Sequence, residues 1–413
     1  MLAMSNYSSL ISSEEVSKIF RIFETFKKNS IFLVGGCIRD AILQKDVTDI
    51  DFATSLTPDE TTNLLDQNNI QSVDVGKKYG TVTAIINQKK YEITSFRKDI
   101  STDGRHATVT FTKDMKEDAQ RRDFTFNALY VDSNGKIFDF YNGQEDLKNG
   151  NVIFIGDPNE RIKEDYLRIL RYFRFFALFE NSDIDPDLQK VFTVNHAHLS
   201  NISNERKWHE FKEILKLKTP HNSLHMMESV GILKTHFEGA LLDENFKNLI
   251  EIESRIGAVP NPIIRLSTLI GSSLEKTNHF INSLPLSKTD STELLKLSSL
   301  NKKIVSYLSM KEVRYLLYKL GKTEFQNQII INWSRDTQNK NEVNWRSLYE
   351  VADNWTKPDF GISPKDIINM GIEQGPMVGR IMSEVEDWWA ENDFIDDKFS
   401  LIERLKAIVQ AQK

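Results

Sequence analysis

The sequence predicts an α+β chain: a small mixed-sheet head followed by an all-α remainder. Three observations support this. Between residues 31 and 155, short runs rich in β-branched and aromatic residues alternate with short helical stretches, and Asn-Gly (134–135, 142–143) and Asp-Gly (103–104) turn signals separate them. After Gly156-Asp157-Pro158 the apolar spacing changes to a helical period and keeps it to the end. Breaks at Thr219-Pro220, Val259-Pro260-Asn261-Pro262, Lys357-Pro358 and Gly375-Pro376 then cut the remainder into many helices.

Taken in order, residues 13–29 read as an amphipathic helix with Val16, Ile19, Phe20, Phe23 and Phe26 on one face. Strands are expected at 31–34, 50–53, 81–86, 90–96, 108–111, 128–131 and 136–139, and head helices at 37–44, 58–66 and 123–127. There is no internal repeat and no low-complexity tract.

With 413 residues the chain is long enough for two or more domains. Its composition, 40% hydrophobic and 27% charged, is that of a soluble protein, and no apolar run is long enough to span a bilayer. Residues 1–16 lack a basic start followed by an apolar stretch, so no signal peptide is expected. One cysteine, Cys37, excludes an intrachain disulfide framework and a cysteine zinc cluster, and it reads as a small core filler. These features point to the cytoplasm. The net charge of −6 argues against a non-specific nucleic-acid coat but permits a local basic face for a defined RNA.

The densest chemistry lies in Phe32–Thr54, FLVGGCIRDAILQKDVTDIDFAT. Gly35 and Gly36 follow a buried-strand run, where a glycine turn lets backbone N–H groups approach a triphosphate. Asp49 and Asp51 flank Ile50; on an extended strand they share a side. Two carboxylates so placed repel unless a cation sits between them, and Mg²⁺, which takes oxygen ligands and brings phosphates with it, suits the pair. The chemistry is that of metal-assisted nucleotidyl transfer. Singly, each part has a plainer meaning: a Gly-Gly turn, a solvated Asp-x-Asp loop, an Arg39–Asp40 surface pair. The ordered combination is far rarer than its parts.

Four further segments matter. Glu92, in YEITSFRKD (91–99), either completes a carboxylate triad with the Asp-x-Asp pair or is a half-buried partner of Arg97 or Lys90. Asp103-Gly104-Arg105-His106 is either a hairpin turn or a hinge. In Arg121-Arg122-Asp123-Phe124-Thr125-Phe126-Asn127-Ala128, Asp123 or Thr125 is placed to cap a helix, Arg122 to donate to phosphate oxygens and Asn127 to bond a ribose hydroxyl. In Glu164–Arg174, the residues Asp165, Arg168, Arg171 and Arg174 recur every third position and form one polar ridge on an otherwise apolar helix. Three arginines on such a ridge suit an anionic ligand; a Glu164–Arg168 pair alone leaves Arg171 and Arg174 unexplained. Asp offers only acceptors and Arg only donors, so the Asp165/Arg168 pair matches the edge of cytosine or adenine and mismatches uracil and guanine.

Together these residues resemble the class II CCA-adding enzymes, the tRNA nucleotidyltransferases, which share a family with bacterial poly(A) polymerases. The motif-bearing part of the resemblance spans roughly residues 30–235. It matches GG-x-x-RD at Gly35, Gly36, Arg39 and Asp40, and DxD at Asp49 and Asp51. It also matches RRDFTxNA at 121–128, including Arg122, Asp123 and Asn127, and ED-x-x-R at Glu164, Asp165 and Arg168, with Arg171 and Arg174 extending it. A further ER-x-x-x-E motif is similar to Glu205-Arg206 through Glu210, and Gly371–Gly379 resembles a tail turn that approaches the RNA backbone.

The resemblance implies a polymerase-β-like, five-stranded head in a seahorse shape. It divides the chain into an N-terminal helix (1–30), a head (31–156), a neck that reads the base (157–222), a body (223–355) and a tail (356–413). It further implies two Mg²⁺ ions held by Asp49 and Asp51, CTP and ATP as substrates, the tRNA acceptor arm as partner, and no membrane or obligate protein partner. Lys212, Lys216, Lys218, Lys302, Lys303 and Lys311 are candidates for the RNA face. Tyr79 stands where the family often has histidine, and no His-Asp phosphohydrolase motif follows. The absence of an arginine-rich segment after the neck favours CCA addition over polyadenylation; an A-adding or CC-adding specialist shares all these motifs.

Overall fold

The computed structural model describes residues 6–74, 76–102, 107–181, 183–271, 273–298, 304–336 and 341–411. The chain forms two compact units, divided between Glu238 and Gly239. Loop 103–106 and the lysines Lys302 and Lys303 lie outside the described residues.

The first unit opens with helices α1 (Asn6–Ser12) and α2 (Glu14–Phe26), where the sequence predicts one helix over 13–29. Strand β1 (Ile31–Val34), helix α3 (Gly36–Ile42), strand β2 (Asp51–Thr54) and helix α4 (Pro58–Gln67) follow. Strands β3 (Gln71–Val73), β4 (Thr81–Ile86) and β5 (Lys89–Ser95) come next, then the hairpin β6 (Arg97–Thr102) and β7 (Ala107–Phe111). Helix α5 (Met115–Gln120), strands β8 (Leu129–Val131) and β9 (Ile137–Asp139) and helix α6 (Gly143–Asn149) complete the head. Helices α7 (Pro158–Glu164), α8 (Leu167–Leu178), α9 (Pro186–Asn195), α10 (Asn204–Lys216), α11 (His221–Ser229) and α12 (Ile232–His236) finish the unit.

The main sheet has seven strands in the order β3-β4-β5-β2-β1-β8-β9, with β6-β7 as a separate ribbon. The expected five strands form its centre. Edge strand β9 lies where a strand is expected at 136–139, while the other edge strand, β3, is three residues long, too short to give a period-2 signal. Only β2 and β5 pair in parallel, which makes the sheet mixed.

The run Ile-Phe-Leu-Val in β1 is apolar throughout because both sheet faces are covered. Ile31 and Leu33 join Val16, Phe20, Phe23, Phe52 and Leu65 on the face of α2 and α4. Phe32 and Val34 join Ala53, Phe96, Ala119 and Tyr130 on the face of α5. Helix α8 is then fixed to segment 124–126 by aromatic packing: the rings of Phe124 and Phe126 lie 5.4 Å and 5.0 Å from that of Phe175, both edge-on.

The second unit is helical from Glu244 to Ala411 among the described residues. Its interior contains one fully buried ion pair, Arg265 with Glu253, whose Nε and Nη2 donate to one carboxylate oxygen at 2.9 and 2.6 Å. A second apolar cluster gathers Tyr318, Ile367, Ile381, Val385, Trp389 and Leu405.

Gly143, the first residue of α6, lies against the backbone of segment 125–126: a Cβ there would sit 2.3 Å from the Thr125 carbonyl oxygen. Backbone cannot swing aside as a side chain can. Gly143→Ala is therefore expected to lower stability by about 1–3 kcal/mol, read as a lower urea midpoint with an unchanged slope.

Candidate active site

Gly35 leaves β1 with φ 74° and ψ −127°, a conformation open to glycine and closed to side-chain-bearing residues. A Cβ there would also sit 3.3 Å from Nη1 of Arg122. One turn later, Arg39 grips Asp40 with two bonds, Nε to Oδ1 at 2.9 Å and Nη2 to Oδ2 at 2.7 Å, and donates from Nη1 to Asn127 Oδ1 at 2.8 Å. Asp40 thus aims its neighbour.

From Asn127 the contacts continue inward. Its amide donates to Asp123 Oδ1 at 3.0 Å, which also accepts the Phe124 N–H at 2.9 Å. Asp123 Oδ2 receives Arg171 Nε at 2.7 Å and Nη2 at 2.6 Å. Arg171 and Arg174 both approach Glu210 of α10, at 3.6 and 3.0 Å. The guanidiniums of Arg39 and Arg174 lie over the Phe175 ring at 4.9 and 4.8 Å. One connected path therefore runs Asp40–Arg39–Asn127–Asp123–Arg171–Glu210–Arg174. Burial pushes the Asp123 carboxyl up, but Arg171 and the hydrogen bonds from Asn127 and Phe124 outweigh it and hold it well below the usual carboxylate range.

Arg122 has a separate anchor. Its Nη2 donates to Asp118 Oδ2 at 3.2 Å and its Nε to the Tyr130 hydroxyl at 3.1 Å, with the guanidinium over the Tyr130 ring at 5.3 Å. Asp118 also accepts from Arg121 Nε, from Tyr130 and from the Arg97 amide.

The aspartate pair departs from expectation. Strand β2 begins at Asp51, so Asp49 stands in the loop before it, exposed and 3.4 Å from Thr48 Oγ1. Thr48, Asp49 and Ile50 have no strand partner in the register, which starts at Asp51↔Glu92. That register sets Glu92 directly opposite Asp51. Burial first, then Glu92, and more weakly Asp49, push the Asp51 carboxyl up to about 6 against the pull of Arg122. Hard oxygen donors with surplus negative charge fit a divalent cation. Among the described residues no three acidic or imidazole groups stand close enough to hold one unaided, so substrate phosphates would complete the shell. The Cys37 thiol is buried behind Asp51, and burial raises its pKa to about 11.

The ridge expected at 165–174 also differs. No single helix runs through 164–174: α7 ends at Glu164, and Asp165 is extended at φ −153°. Its Oδ1 accepts the Leu167 N–H at 3.0 Å, the local Asx geometry that competes with helix continuation. The ridge therefore starts at Arg168, and Asp165 Oδ2 pairs with Arg206 at 2.7 Å. Arg168 bonds Glu164 at 2.6 Å. Arg171 and Arg174, which that pair leaves unexplained, meet Asp123 and Glu210. Likewise the expected helix at 123–127 is a single 3₁₀ turn over Thr125–Asn127, because the Phe124 and Thr125 backbones pair instead with 153–154.

Sequence reading passed over Asp118 and Arg161 as site partners, and gave Glu210 only as the end of the ER-x-x-x-E motif. Asp118 carried a signal, since it lies three and four residues before Arg121 and Arg122.

The Asp118 side chain is 1% exposed. Burial raises its pKa, yet Arg122, Arg121 and Tyr130 bring it down to about 2. The unfolded chain takes up this proton near pH 4, so the ionised group's stabilisation is complete above that and fades as pH falls toward 2, on the order of 2 kcal/mol in all. Asp118→Asn is expected to lower unfolding free energy by about 3–5 kcal/mol at pH 7. The gap from wild type should narrow in urea titrations between pH 4 and 2.

Comparison with known proteins shows the family. Residues 31–153 match the family model described as the poly A polymerase head domain, and residues 182–241 match the one described as a probable RNA and SrmB-binding site of polymerase A. The chain is 30% identical to CCA tRNA nucleotidyltransferase 1, mitochondrial, of Danio rerio, over 92% of this chain and 89% of that one. It is 30% identical to the CCA-adding enzyme of Staphylococcus epidermidis over 92% and 94%. The crystal structure of the Bacillus stearothermophilus CCA-adding enzyme with CTP shares the fold at a TM-score of 0.72 and 23% identity, covering 97% of this chain and 99% of that one. Similarity of this extent to full-length relatives shows that the chain belongs to the family of CCA-adding enzymes, the CCA tRNA nucleotidyltransferases.

Proposed function

We propose that this chain builds and repairs the 3′-terminal CCA of tRNA, adding nucleotides from CTP and ATP without a nucleic-acid template and releasing pyrophosphate. The observation that carries the reading is a combination. Full-length similarity to enzymes named for CCA addition coincides with a head in which Arg39 and Arg122 are held by the buried side chains of Asn127 and Tyr130, and Asp51 stands opposite Glu92 in the sheet. The match to a poly A polymerase head model favours polyadenylation as a second reading. A specialist that adds only A or only CC remains within the same family.

In this reading Asp49 and Asp51 hold two Mg²⁺ ions, which when bound supply charge neutralisation at the triphosphate and a lowered pKa at the tRNA 3′-hydroxyl. Gly35 and Gly36 let the backbone approach the phosphates, and Arg39, Arg122, Arg171 and Arg174 bring positive charge to them. Asp40 and Asn127 aim Arg39, and Asp123 aims Arg171; Asn127 would also serve a ribose hydroxyl. Asp165 and Arg168 address the base edge. Arg168 spends three of its five N–H donors on Arg161, Glu164 and Arg121, which leaves two for a base. Each Asp165 oxygen has one protein donor and a second lone pair to offer. The acceptor arm would be bound by shape and backbone on residues 223–355 and 356–413, and by the basic side chains Lys212, Lys216, Lys218 and Lys311. Among the described residues no helix is long and apolar enough to cross a membrane, and we propose the cytoplasm as the compartment.

The test is primer extension on tRNA transcripts ending at the discriminator base, after C and after CC, with CTP, ATP or both. Extension that halts after CCA supports the proposal; long A tracts on any RNA replace it with polyadenylation. Asp49→Ala and Asp51→Ala should each reduce incorporation of both nucleotides by at least a hundredfold with the circular dichroism spectrum unchanged. Arg168→Ala should raise UTP and GTP use relative to CTP about tenfold or more, because a mismatched base then leaves fewer buried groups unpaired.

A further inference from the structure

Arg161, on the last turn of α7, is only 9% exposed and carries no role in the assignments above. Its Nη2 donates to the backbone carbonyls of Arg121 at 2.5 Å and Arg122 at 2.6 Å. Its Nη1 bonds the Glu164 carboxylate. That same carboxylate oxygen takes Arg168 Nη1 at 2.6 Å. Arg168 in turn donates to the Arg161 carbonyl at 2.8 Å and to the Arg121 carbonyl at 3.2 Å. Two guanidiniums, one carboxylate and three carbonyls thus form a closed knot between segment 121–122 and segment 161–168.

Such a knot is not what simple packing selects. Arg161 Nε is buried without a hydrogen-bond partner among the described residues. Burial and the nearby Arg168 both disfavour its charge and win over the opposing pull of Glu164 and Asp123. A planar fork that reaches two consecutive carbonyls and a carboxylate at once is a geometry that lysine cannot reproduce.

The two segments it joins are those that face opposite ends of the nucleotide in the proposed function, on which this inference rests. We infer that Arg161 is a positioning residue for nucleotide selection: it ties the Arg121–Arg122 backbone to Arg168, so that the side chain addressing the base keeps a fixed distance from the segment addressing the phosphates. Discrimination by one Asp/Arg pair needs placement within a fraction of an ångström, since a displaced pair accepts either base edge poorly and rejects neither. Arg161 touches neither base nor phosphate in this account; it acts through Arg168 and Arg122.

The experiment measures single-nucleotide addition to a tRNA ending at the discriminator base, with CTP and UTP in separate reactions. It compares wild type with Arg161→Met, which keeps the apolar stem and removes the fork, and Arg161→Lys, which keeps the charge. Melting curves confirm that each variant is folded at the assay temperature. The CTP/UTP ratio of kcat/KM should fall at least tenfold in Arg161→Met and by a smaller factor in Arg161→Lys, while the loss of CTP activity itself is mainly in kcat. An unchanged ratio in folded protein, however low the activity, overturns the inference and leaves Arg161 a structural clip. If both variants are unfolded, Glu164→Gln, which removes the charge shared by the two arginines, decides by the same ratio. A wild type that adds neither nucleotide to tRNA overturns the proposed function and this inference together; a wild type that selects CTP with a ratio untouched by the variants overturns the inference alone.

Discussion

The buried carboxylate of Asp123 is the contact on which the site's arrangement depends. It stands where segment 121–128 meets helix α8, and it accepts hydrogen bonds from a backbone N–H, from Asn127 and twice from Arg171. Through Asn127 it reaches Arg39 on α3; through Arg171 it reaches Glu210 on α10. Three parts of the chain far apart in sequence are thereby held in register by one side chain. Each arginine along the path is paired, so the cluster of positive charge is tolerable without a ligand; an isolated buried guanidinium would be several kcal/mol less favourable. The aromatic contacts of Phe124 and Phe126 with Phe175 supply the apolar half of the same junction, excluding water from the ion pairs and so strengthening them.

Much of this was legible in the amino-acid order because the elements are local. The apolar run of β1, the Gly-Gly exit and the helical spacing after Pro158 are each read within a few residues. Strand β1 and strand β4 lie where the pattern put them, at 31–34 and 81–86. The readings that needed revision are those in which a tertiary partner outweighed local preference. Asp165 reads as the first rung of a helical ridge, but its carboxylate caps the Leu167 N–H and pairs with Arg206, and the helix breaks there. Asp49 reads as one side of a strand pair, but β1 ends at Val34 and the ladder with β5 starts only at Asp51↔Glu92, which leaves Asp49 in the loop. Segment 123–127 reads as helix until residues 153–154 take its backbone bonds.

Partners farther away in sequence were illegible for a related reason. Glu210 stands thirty-nine and thirty-six positions from Arg171 and Arg174; the ER-x-x-x-E spacing marks it locally, but nothing local says which arginines it meets. Arg161 carries an i,i+3 pairing with Glu164, while its bonds to the Arg121 and Arg122 carbonyls depend on the chain's return path. Arginine outnumbers lysine throughout this junction because a planar fork satisfies two or three acceptors at once. The Asp51–Glu92 register follows the same logic in the sheet: only the parallel pairing of β2 with β5 brings those carboxylates opposite each other.

The central claim, that Asp123 holds in place the arginines proposed to face the phosphates, is most directly tested by calorimetric titration of CTP into Asp123→Asn. Asparagine keeps the shape and the bond from Phe124 but loses the charge that fixes Arg171. The account predicts CTP binding weaker by tenfold or more, in protein whose near-ultraviolet circular dichroism matches wild type. Wild-type affinity in that variant would contradict it, because Arg39 and Arg171 would then hold their positions without the carboxylate between them.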